Sequence, residues 1–169
     1  MLNYDPIIIF TAMAITKFRL LFLFLLPMFI SSLNQVIFAQ AIPTSDLICG
    51  KWIIAEKDLI VQIYKDGSEF KAKIVWFNDS DDKSRPMETR LDADNPDPKL
   101  RAQKILGSSV LSSLVYILPS NSWENGMIYD AKHGRYWDSS AYINKKGQLK
   151  VTGFWHFKFI GKTLTFTRV

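Results

Sequence analysis

The chain has 169 residues, enough for one domain, and a formal charge of +5 from 21 Lys and Arg against 16 Asp and Glu. Its cations are spread along the sequence, whereas nucleic-acid-binding domains gather theirs into a stripe, so the composition argues against a nucleic-acid partner. Cys49 is the single cysteine, which excludes an internal disulfide, and we interpret it as a small buried side chain.

The first quarter of the chain has the pattern of a secretory leader. Lys17 and Arg19 precede the apolar run LLFLFLLPMFI, and small residues at 39–41 (AQA) form a cleavage motif. We therefore predict a signal-peptide helix within a leader over residues 1–41. The remainder, residues 42–169, is predicted to be an exported domain in the periplasm or outside the cell.

Two features of the leader leave alternatives open. Asp5 does not suit a cationic start, so translation that begins at Met13 rather than Met1 is a second interpretation. The apolar run is shorter than the roughly 20 residues that a spanning helix needs, and Pro27 interrupts it. The run therefore favours cleavage over a retained membrane anchor, and we expect no stable membrane span after cleavage.

After the leader, short segments with strand periodicity follow one another, separated by turn residues. Apolar residues alternate along LIVQIYK and EFKAKIVWF, which are joined by Asp66-Gly67, a hairpin turn signal. The predicted strands cover residues 50–55, 59–65, 69–77, 111–118, 126–130, 134–144, 148–155 and 162–169. Short strands with tight turns predict an all-β domain, either an antiparallel barrel or a sandwich.

A polar connection over residues 78–107 interrupts the strands and contains the motif DNPDPKLR. Asp97 suits the N-cap of a helix and Pro98 its first position, where a missing N–H costs nothing. Asn95 begins the turn that sets the direction of the helix. Gly107 supplies the left-handed residue that follows the C-terminus of the helix. The connection is therefore predicted to hold one short helix of about two turns.

The first and last predicted strands carry residues that suit the closure of a barrel. Gly50 precedes Trp52 by two positions, and Arg168 lies on the apolar face of the last strand. An arginine on an apolar face is unfavourable unless it is paired or stacked. If the two strands are neighbours, the guanidinium covers the indole, an interaction of about 1–2 kcal/mol when desolvated. We therefore predict a structural closure formed by these three residues.

A series of short motifs runs in order along the mature chain. They are GKW at 50–52, KIVW at 73–76, DADNPDPKLR at 92–101, ILG at 105–107, WENGMIYD at 123–130, GRY at 134–136, LKVTG at 149–153 and TFTRV at 165–169. In these motifs the chain resembles the bacterial domain-of-unknown-function 2147 family. Asp138, Phe166 and the bulky run FWHF at 154–157 depart from the family pattern. The resemblance implies an exported protein with a lipocalin-like barrel and no established activity.

The combined prediction is an all-β fold. It is a single antiparallel β-barrel of about eight strands, like those of lipocalins and fatty-acid-binding proteins, with one short helix. Gly-x-Trp followed by a C-terminal arginine is similar to the base closure of those barrels, and it implies a structural role for Gly50, Trp52 and Arg168.

The sequence contains no arrangement typical of a catalytic or metal site. Neither His133 nor His156 has a second ligand at metal-binding spacing. A Gly-x-Ser-x-Gly motif and a phosphate-binding loop are both absent from the sequence. The aspartates of the 78–107 connection lack the glycine and distal glutamate of a calcium loop. We therefore expect no enzymatic activity, no metal and no cofactor.

The predicted strand over residues 134–144 has two faces, and the inward one defines the candidate ligand site. One face carries Tyr136, Asp138 and Tyr142, and Tyr129 is placed to join them. If this face points inward, hydroxyls and a carboxylate line the barrel. Buried polar groups need partners, so a fixed internal network and a ligand site are both consistent with the pattern.

We predict an exported, non-enzymatic binding protein that holds a lipophilic or amphipathic small molecule inside the barrel. The predicted ligand-binding residues are Trp76, Arg101, Tyr129, Tyr136, Asp138 and Tyr142. The aromatic residues would supply apolar area, and Asp138 or Arg101 a polar anchor. The alternative is a filled barrel that presents the 78–107 loop and helix to a protein partner in the envelope.

Overall fold

Eight antiparallel strands form a closed barrel in the structure, a computed structural model that describes residues 44–169. The strands are β1 (Gly50–Ile54), β2 (Leu59–Asp66), β3 (Glu69–Phe77), β4 (Ser109–Ile117), β5 (Ser122–Asp130), β6 (Arg135–Ile143), β7 (Leu149–Phe154) and β8 (Lys162–Arg168). Each strand pairs with the next, and β1 pairs with β8. The predicted all-β barrel is therefore confirmed. The predicted leader lies outside the described residues.

The fifth strand begins earlier than the sequence predicts. Asn125 has a φ of +61°, and the register with β6 shifts between Trp123 and Gly126. This irregularity breaks the alternation of side chains, so the first half of β5 lacks a strand-like pattern. The structure nevertheless continues the strand back to Ser122.

The connections alternate between the two ends of the barrel because consecutive strands are antiparallel. We call one end the base. It carries the turns β2–β3, β4–β5 and β6–β7 together with a 3₁₀ helix at Thr44–Ile48. We call the other end the rim, and it carries residues 55–58, 78–108, 131–134 and 155–161. The long 78–107 connection is therefore at the rim.

The N-terminal 3₁₀ helix covers the base of the barrel. Ile48 is fully buried, and its carbonyl oxygen accepts a hydrogen bond from Nε1 of Trp52 at 2.7 Å. Nε1 of Trp123 donates to the carbonyl oxygen of Ser45 at 3.0 Å. Both buried indoles thus have their N–H groups satisfied by this helix, which fixes it beneath the core.

Arg168 joins the end of the barrel to its beginning. Its guanidinium carbon lies 4.3 Å from the ring centroid of Trp52, and the two residues are direct cross-strand partners. The guanidinium also donates to the carbonyl oxygens of Cys49, at 2.8 Å, and Leu47. Gly50 has a φ of +133°, and a Cβ there would lie 2.4 Å from Nη1 of Arg168, so only glycine fits. The three residues predicted to close the barrel therefore meet.

The two-turn helix predicted in the 78–107 connection is wrong: the structure has a single 3₁₀ turn, Pro98–Leu100. Asp97 is its N-cap, as expected, and its side chain accepts a hydrogen bond from the N–H of Lys99 at 3.0 Å. The helix does not continue because residues 103–105 pair with residues 90–92 in a short antiparallel bridge. Tertiary pairing thus overrides a local helical pattern.

Gly107 ends this connection rather than a helix. It has a φ of +88°, and its N–H donates to the carbonyl oxygen of Ile74 at 2.9 Å, which leads the chain into β4. Two further 3₁₀ helices occupy Leu118–Ser120 and Lys158–Ile160. Within residues 44–169, no helix has the length and apolar character that crossing a membrane requires.

Candidate functional site

The barrel interior is packed more tightly toward the base than toward the rim. Side chains in the lower half are at most 2% exposed: Ile48, Trp52, Ile63, Phe70, Leu114, Trp123, Ala141 and Leu149. Inward side chains from the middle of the barrel toward the rim are 5% to 8% exposed: Ile54, Val61, Ile74, Leu111, Val151 and Phe166. With the exception of Ile74, both sets belong to one buried core, in which the side chains toward the rim are slightly more exposed than those at the base.

A buried hydroxyl faces this interior without a partner. Ser139 is 1% exposed, and its Oγ has no hydrogen-bond partner among the described residues. Its cross-strand neighbours are Gly126 on β5 and Gly153 on β7, so three adjacent strands present almost no side-chain bulk here. Unsatisfied buried polar groups are rare in native proteins, which marks this part of the wall as a candidate contact for a polar group.

The two glycines beside Ser139 differ in the space around them. A Cβ at Gly126 would lie 2.6 Å from Cδ1 of Leu114 and 2.6 Å from Oγ of Ser139, so the hydroxyl itself lies on this side, where the space is already filled. A Cβ at Gly153 would find its nearest atoms at 3.7 Å, on Trp137, and at 3.8 Å, on Ile128. The inner wall beside Gly153 therefore accepts a group the size of a methyl without displacing its neighbours.

A groove of about 200 Å³ lies at the rim on the same side of the barrel. Its lining residues come from β5, β6 and the segment after β7: Met127, Tyr136, Trp137, Asp138, Trp155 and His156. The rings of Trp137 and Trp155 meet edge to face, with centroids 6.2 Å apart. Trp137 thus belongs both to the groove and to the interior surface next to Gly153.

The predicted inward face of β6 is wrong, because Tyr136, Asp138 and Tyr142 point outward and are exposed. The opposite face points inward and carries the buried Ser139 and Ala141. The reason is steric: Ala141 is paired with Trp123 on one side, and the buried indole leaves space for only a small side chain. Tyr136 and Asp138 still line the groove, whereas Tyr142 lies outside it.

The prediction that Trp76 faces the interior is also wrong. The register of β2 and β3 shifts so that Val61 pairs with Ile74 but Ile60 pairs with Trp76. The extra residue in β3 moves Trp76 to the outer face, where it is 36% exposed. A period-two pattern cannot detect a bulge of this kind, because the apolar spacing continues across it.

Tyr129 is buried as predicted, but beneath the 78–107 connection rather than inside the barrel. Its hydroxyl donates to Oδ1 of Asp92 at 2.7 Å, and Nδ2 of Asn95 donates to Oδ2 of the same carboxylate at 2.6 Å. Asp92 and Asn95 are both 3% exposed. The connection is thus held against the outer face of β5 by a buried hydrogen-bond network.

Two further contacts fix this connection. A Cβ at Gly134, in the β5–β6 turn, would lie 1.9 Å from the carbonyl oxygen of Asp94, so the backbone of the connection packs directly on that turn. Nε of Arg101 donates to the carbonyl oxygen of Asn95 at 2.8 Å. Arg101 therefore contributes to holding the connection, and its predicted role as a polar anchor for a ligand stays a prediction.

The Tyr129 phenol gives the fold a dependence on alkaline pH. Burial, reinforced by the hydrogen bond to Asp92, raises the pKa of Tyr129 above its ordinary value of 10.0. The stabilisation is complete below about pH 10 and is lost as the pH rises further, since the unfolded state ionises first. We expect the unfolding free energy of wild type to fall more steeply than that of Tyr129→Phe between about pH 10 and about pH 12. Urea titrations at each pH would measure this, and parallel curves would contradict it.

The two histidines do not approach one another in a metal site. Nδ1 of His133 lies 2.7 Å from Oδ2 of Asp130 in the exposed β5–β6 turn. His156 has a φ of +62° and lines the groove. Within residues 44–169, no group of three metal-ligating side chains comes together.

The structure brings out three features to which the sequence pattern gives no role: Asp92, Ser139 and the apolar segment after β7. The density of Asn, Asp and Pro around residue 92 is a signal for a fixed turn rather than a mobile one. The pairing of Ser139 with two glycines becomes visible only once the strand register is known.

Comparisons with known proteins agree with this architecture. Residues 50–168 match the family DUF2147, described as an uncharacterized protein conserved in bacteria. The structure is similar to that of protein HP1028 from the human pathogen Helicobacter pylori, which is described as belonging to the lipocalin family. The TM-score is 0.60 and the identity 23%, over 72% of this chain and 82% of that chain. This likeness shows a lipocalin-like fold. No curated protein matches the sequence.

Proposed function

Because the chain belongs to the DUF2147 family, whose description names no activity, we propose from its structure that it binds an apolar or amphipathic small molecule. The proposed role is binding without catalysis, in the periplasm or outside the cell, as the leader suggests. The proposed site is the half of the barrel toward the rim, reached through the groove beside Trp137 and Trp155.

The observation that carries this proposal is the unpartnered Ser139 hydroxyl. It lies in the barrel interior on the Gly126 side of Ser139, and the cross-strand partner Gly153 leaves the adjacent wall without a side chain. A bound molecule with one polar group would satisfy the hydroxyl, and its apolar part would contact Ile128 and Trp137. Buried polar groups that orient a ligand within an apolar site are typical of small-molecule sites.

The filled lower half of the barrel limits the size of such a molecule. Eight side chains there are nearly inaccessible, so a ligand has only the upper half and the groove. The alternative role for the 78–107 connection, presentation to a protein partner, is less well supported. The buried polar groups of that connection already bind within the chain: Asp92 accepts a hydrogen bond from Tyr129, and the backbone at Asp94 packs on the β5–β6 turn.

Gly153→Leu should abolish or strongly weaken ligand binding. We expect wild type to bind the apolar probe N-phenyl-1-naphthylamine saturably, with a rise in probe fluorescence. The leucine side chain would occupy the space next to Ser139 that the ligand is proposed to fill. The ligand could bind only by displacing this side chain, so the dissociation constant should rise about tenfold or more. Tyr142→Leu on the outer face of the neighbouring strand is the matched control and should bind like wild type.

Thermal melts of each variant would show that it is folded. Absence of saturable probe binding by wild type would refute the proposed function. Equal binding by Gly153→Leu and wild type would refute the proposed site. If Trp155→Ala loses binding and Gly153→Leu does not, the ligand binds in the groove and not inside the barrel.

A further inference from the structure

The segment between β7 and β8 exposes an unusual amount of apolar surface. We call residues 155–161 (WHFKFIG) the rim loop. Within it, Trp155, Phe157, Phe159 and Ile160 are 64%, 58%, 83% and 69% exposed. Single exposed apolar residues are ordinary, but a contiguous group on one loop marks an interaction surface.

Contacts within the rim loop and with β7 hold it in place. The rings of Phe157, the N-cap of the 3₁₀ turn Lys158–Ile160, and Phe159, its middle residue, stack with centroids 5.5 Å apart. At the end of the loop, a Cβ on Gly161 would lie 2.7 Å from the carbonyl oxygen of Gly153, so the loop is anchored closely on β7. The exposed apolar side chains of this loop suit a soft interface such as a lipid surface, because such an interface needs no preformed pocket.

The rim loop and the residue after it carry two lysines. Residues 155–162 contain Lys158 and Lys162 and no acidic residue, whereas Asp138 lines the groove beside Trp155. Lys158 forms an ion pair with Glu124 on β5, and Lys162 is exposed. Aromatic side chains flanked by lysines are typical of segments that lie in the headgroup region of a bilayer, where the rings enter the interface and the ammonium groups meet anionic headgroups.

We infer that the rim loop docks the barrel on the surface of an anionic lipid bilayer. Phe157, Phe159 and Ile160 enter the interface, and Lys162 faces the headgroups. The chain does not span the membrane in this arrangement. The inference does not depend on ligand binding, because it rests only on the exposed apolar side chains and the lysines of this segment. If both proposals hold, the rim of the barrel faces the lipid.

A vesicle co-sedimentation experiment with matched variants tests this inference. Protein would be expressed from the full-length gene and recovered as the cell processes it. We expect wild type to bind vesicles of phosphatidylglycerol and phosphatidylcholine and to bind phosphatidylcholine alone more weakly. Phe157→Ser/Phe159→Ser should weaken binding roughly a hundredfold, at about one factor of ten for each ring removed from the interface.

The control removes two exposed apolar side chains elsewhere on the barrel. Leu118 and Tyr142 are 75% and 48% exposed, and neither is in the rim loop, so Leu118→Ser/Tyr142→Ser should bind vesicles like wild type. Lys162→Gln should reduce the preference for anionic vesicles about fivefold. Any contribution of the leader is the same in every variant.

Several results would overturn the inference. Failure of wild type to bind anionic vesicles would do so, as would equal losses in the two double variants. If wild type ignores vesicles but self-associates in sedimentation velocity, and the double phenylalanine variant does not, the rim loop contacts a second copy instead. Probe binding by the same variants is measured separately, so the outcome for the proposed function remains distinguishable.

Discussion

Trp52→Ala should lower the free energy of unfolding by about 3–5 kcal/mol, because it removes a buried indole from the core and leaves a cavity. Trp52 is 1% exposed, and its Nε1 supplies the hydrogen bond that holds the N-terminal 3₁₀ helix through Ile48. The substitution also removes the ring beneath the guanidinium of Arg168. Three effects therefore act in the same direction at the closure of the barrel.

Urea or guanidinium denaturation, followed by circular dichroism, would measure the Trp52 effect. Trp76→Ala is the matched control, since it removes the same side chain from the outer face, where it is 36% exposed. We expect the control to cost less than about 1 kcal/mol. Similar losses in the two variants would contradict the assignment of Trp52 to the core and of Trp76 to the outer face.

Asp92→Ala should have the second-largest effect, a loss of roughly 2–4 kcal/mol, because two buried donors lose their acceptor. The hydroxyl of Tyr129 and Nδ2 of Asn95 both donate to this carboxylate, and the surrounding connection excludes water. The 78–107 connection should also become more susceptible to proteolysis, since this network holds it against β5.

Asp97→Ala is the control for Asp92 within the same connection. Its carboxylate caps an exposed 3₁₀ turn and accepts one hydrogen bond, from the N–H of Lys99. We expect a loss of only about 0.5–1 kcal/mol and unchanged proteolysis of the connection. If Asp97→Ala proved as costly as Asp92→Ala, the buried network would not be what fixes the connection.

The closure of the barrel could be predicted from sequence because its signals are local and chemically unusual. An arginine on an apolar strand face requires a stacking or pairing partner, and Gly-x-Trp in the first strand offered one. The order and number of strands followed from alternation and turn residues, which operate over a few positions. These features depend little on the rest of the fold.

The candidate site could not be predicted equally well, because it depends on strand register and bulges. The two faces of β6 have similar polarity, and the inward one is selected by contact with Trp123 on the neighbouring strand. Trp76 changed face through a bulge, and Tyr129 is buried by a distant segment rather than by the barrel. Each of these outcomes depends on contacts between residues far apart in sequence.

The pairing of β1 with β8 also constrains the order in which the chain can complete its fold. β1 needs both β2 and β8 as neighbours, and the second pairing joins residues 52–54 to residues 166–168. A chain that emerges from the ribosome N-terminus first therefore keeps one edge of β1 unpaired until β8 has been synthesised. During that time the edge is open to pairing with other chains, so a factor that shields nascent polypeptides would matter most for the first strand.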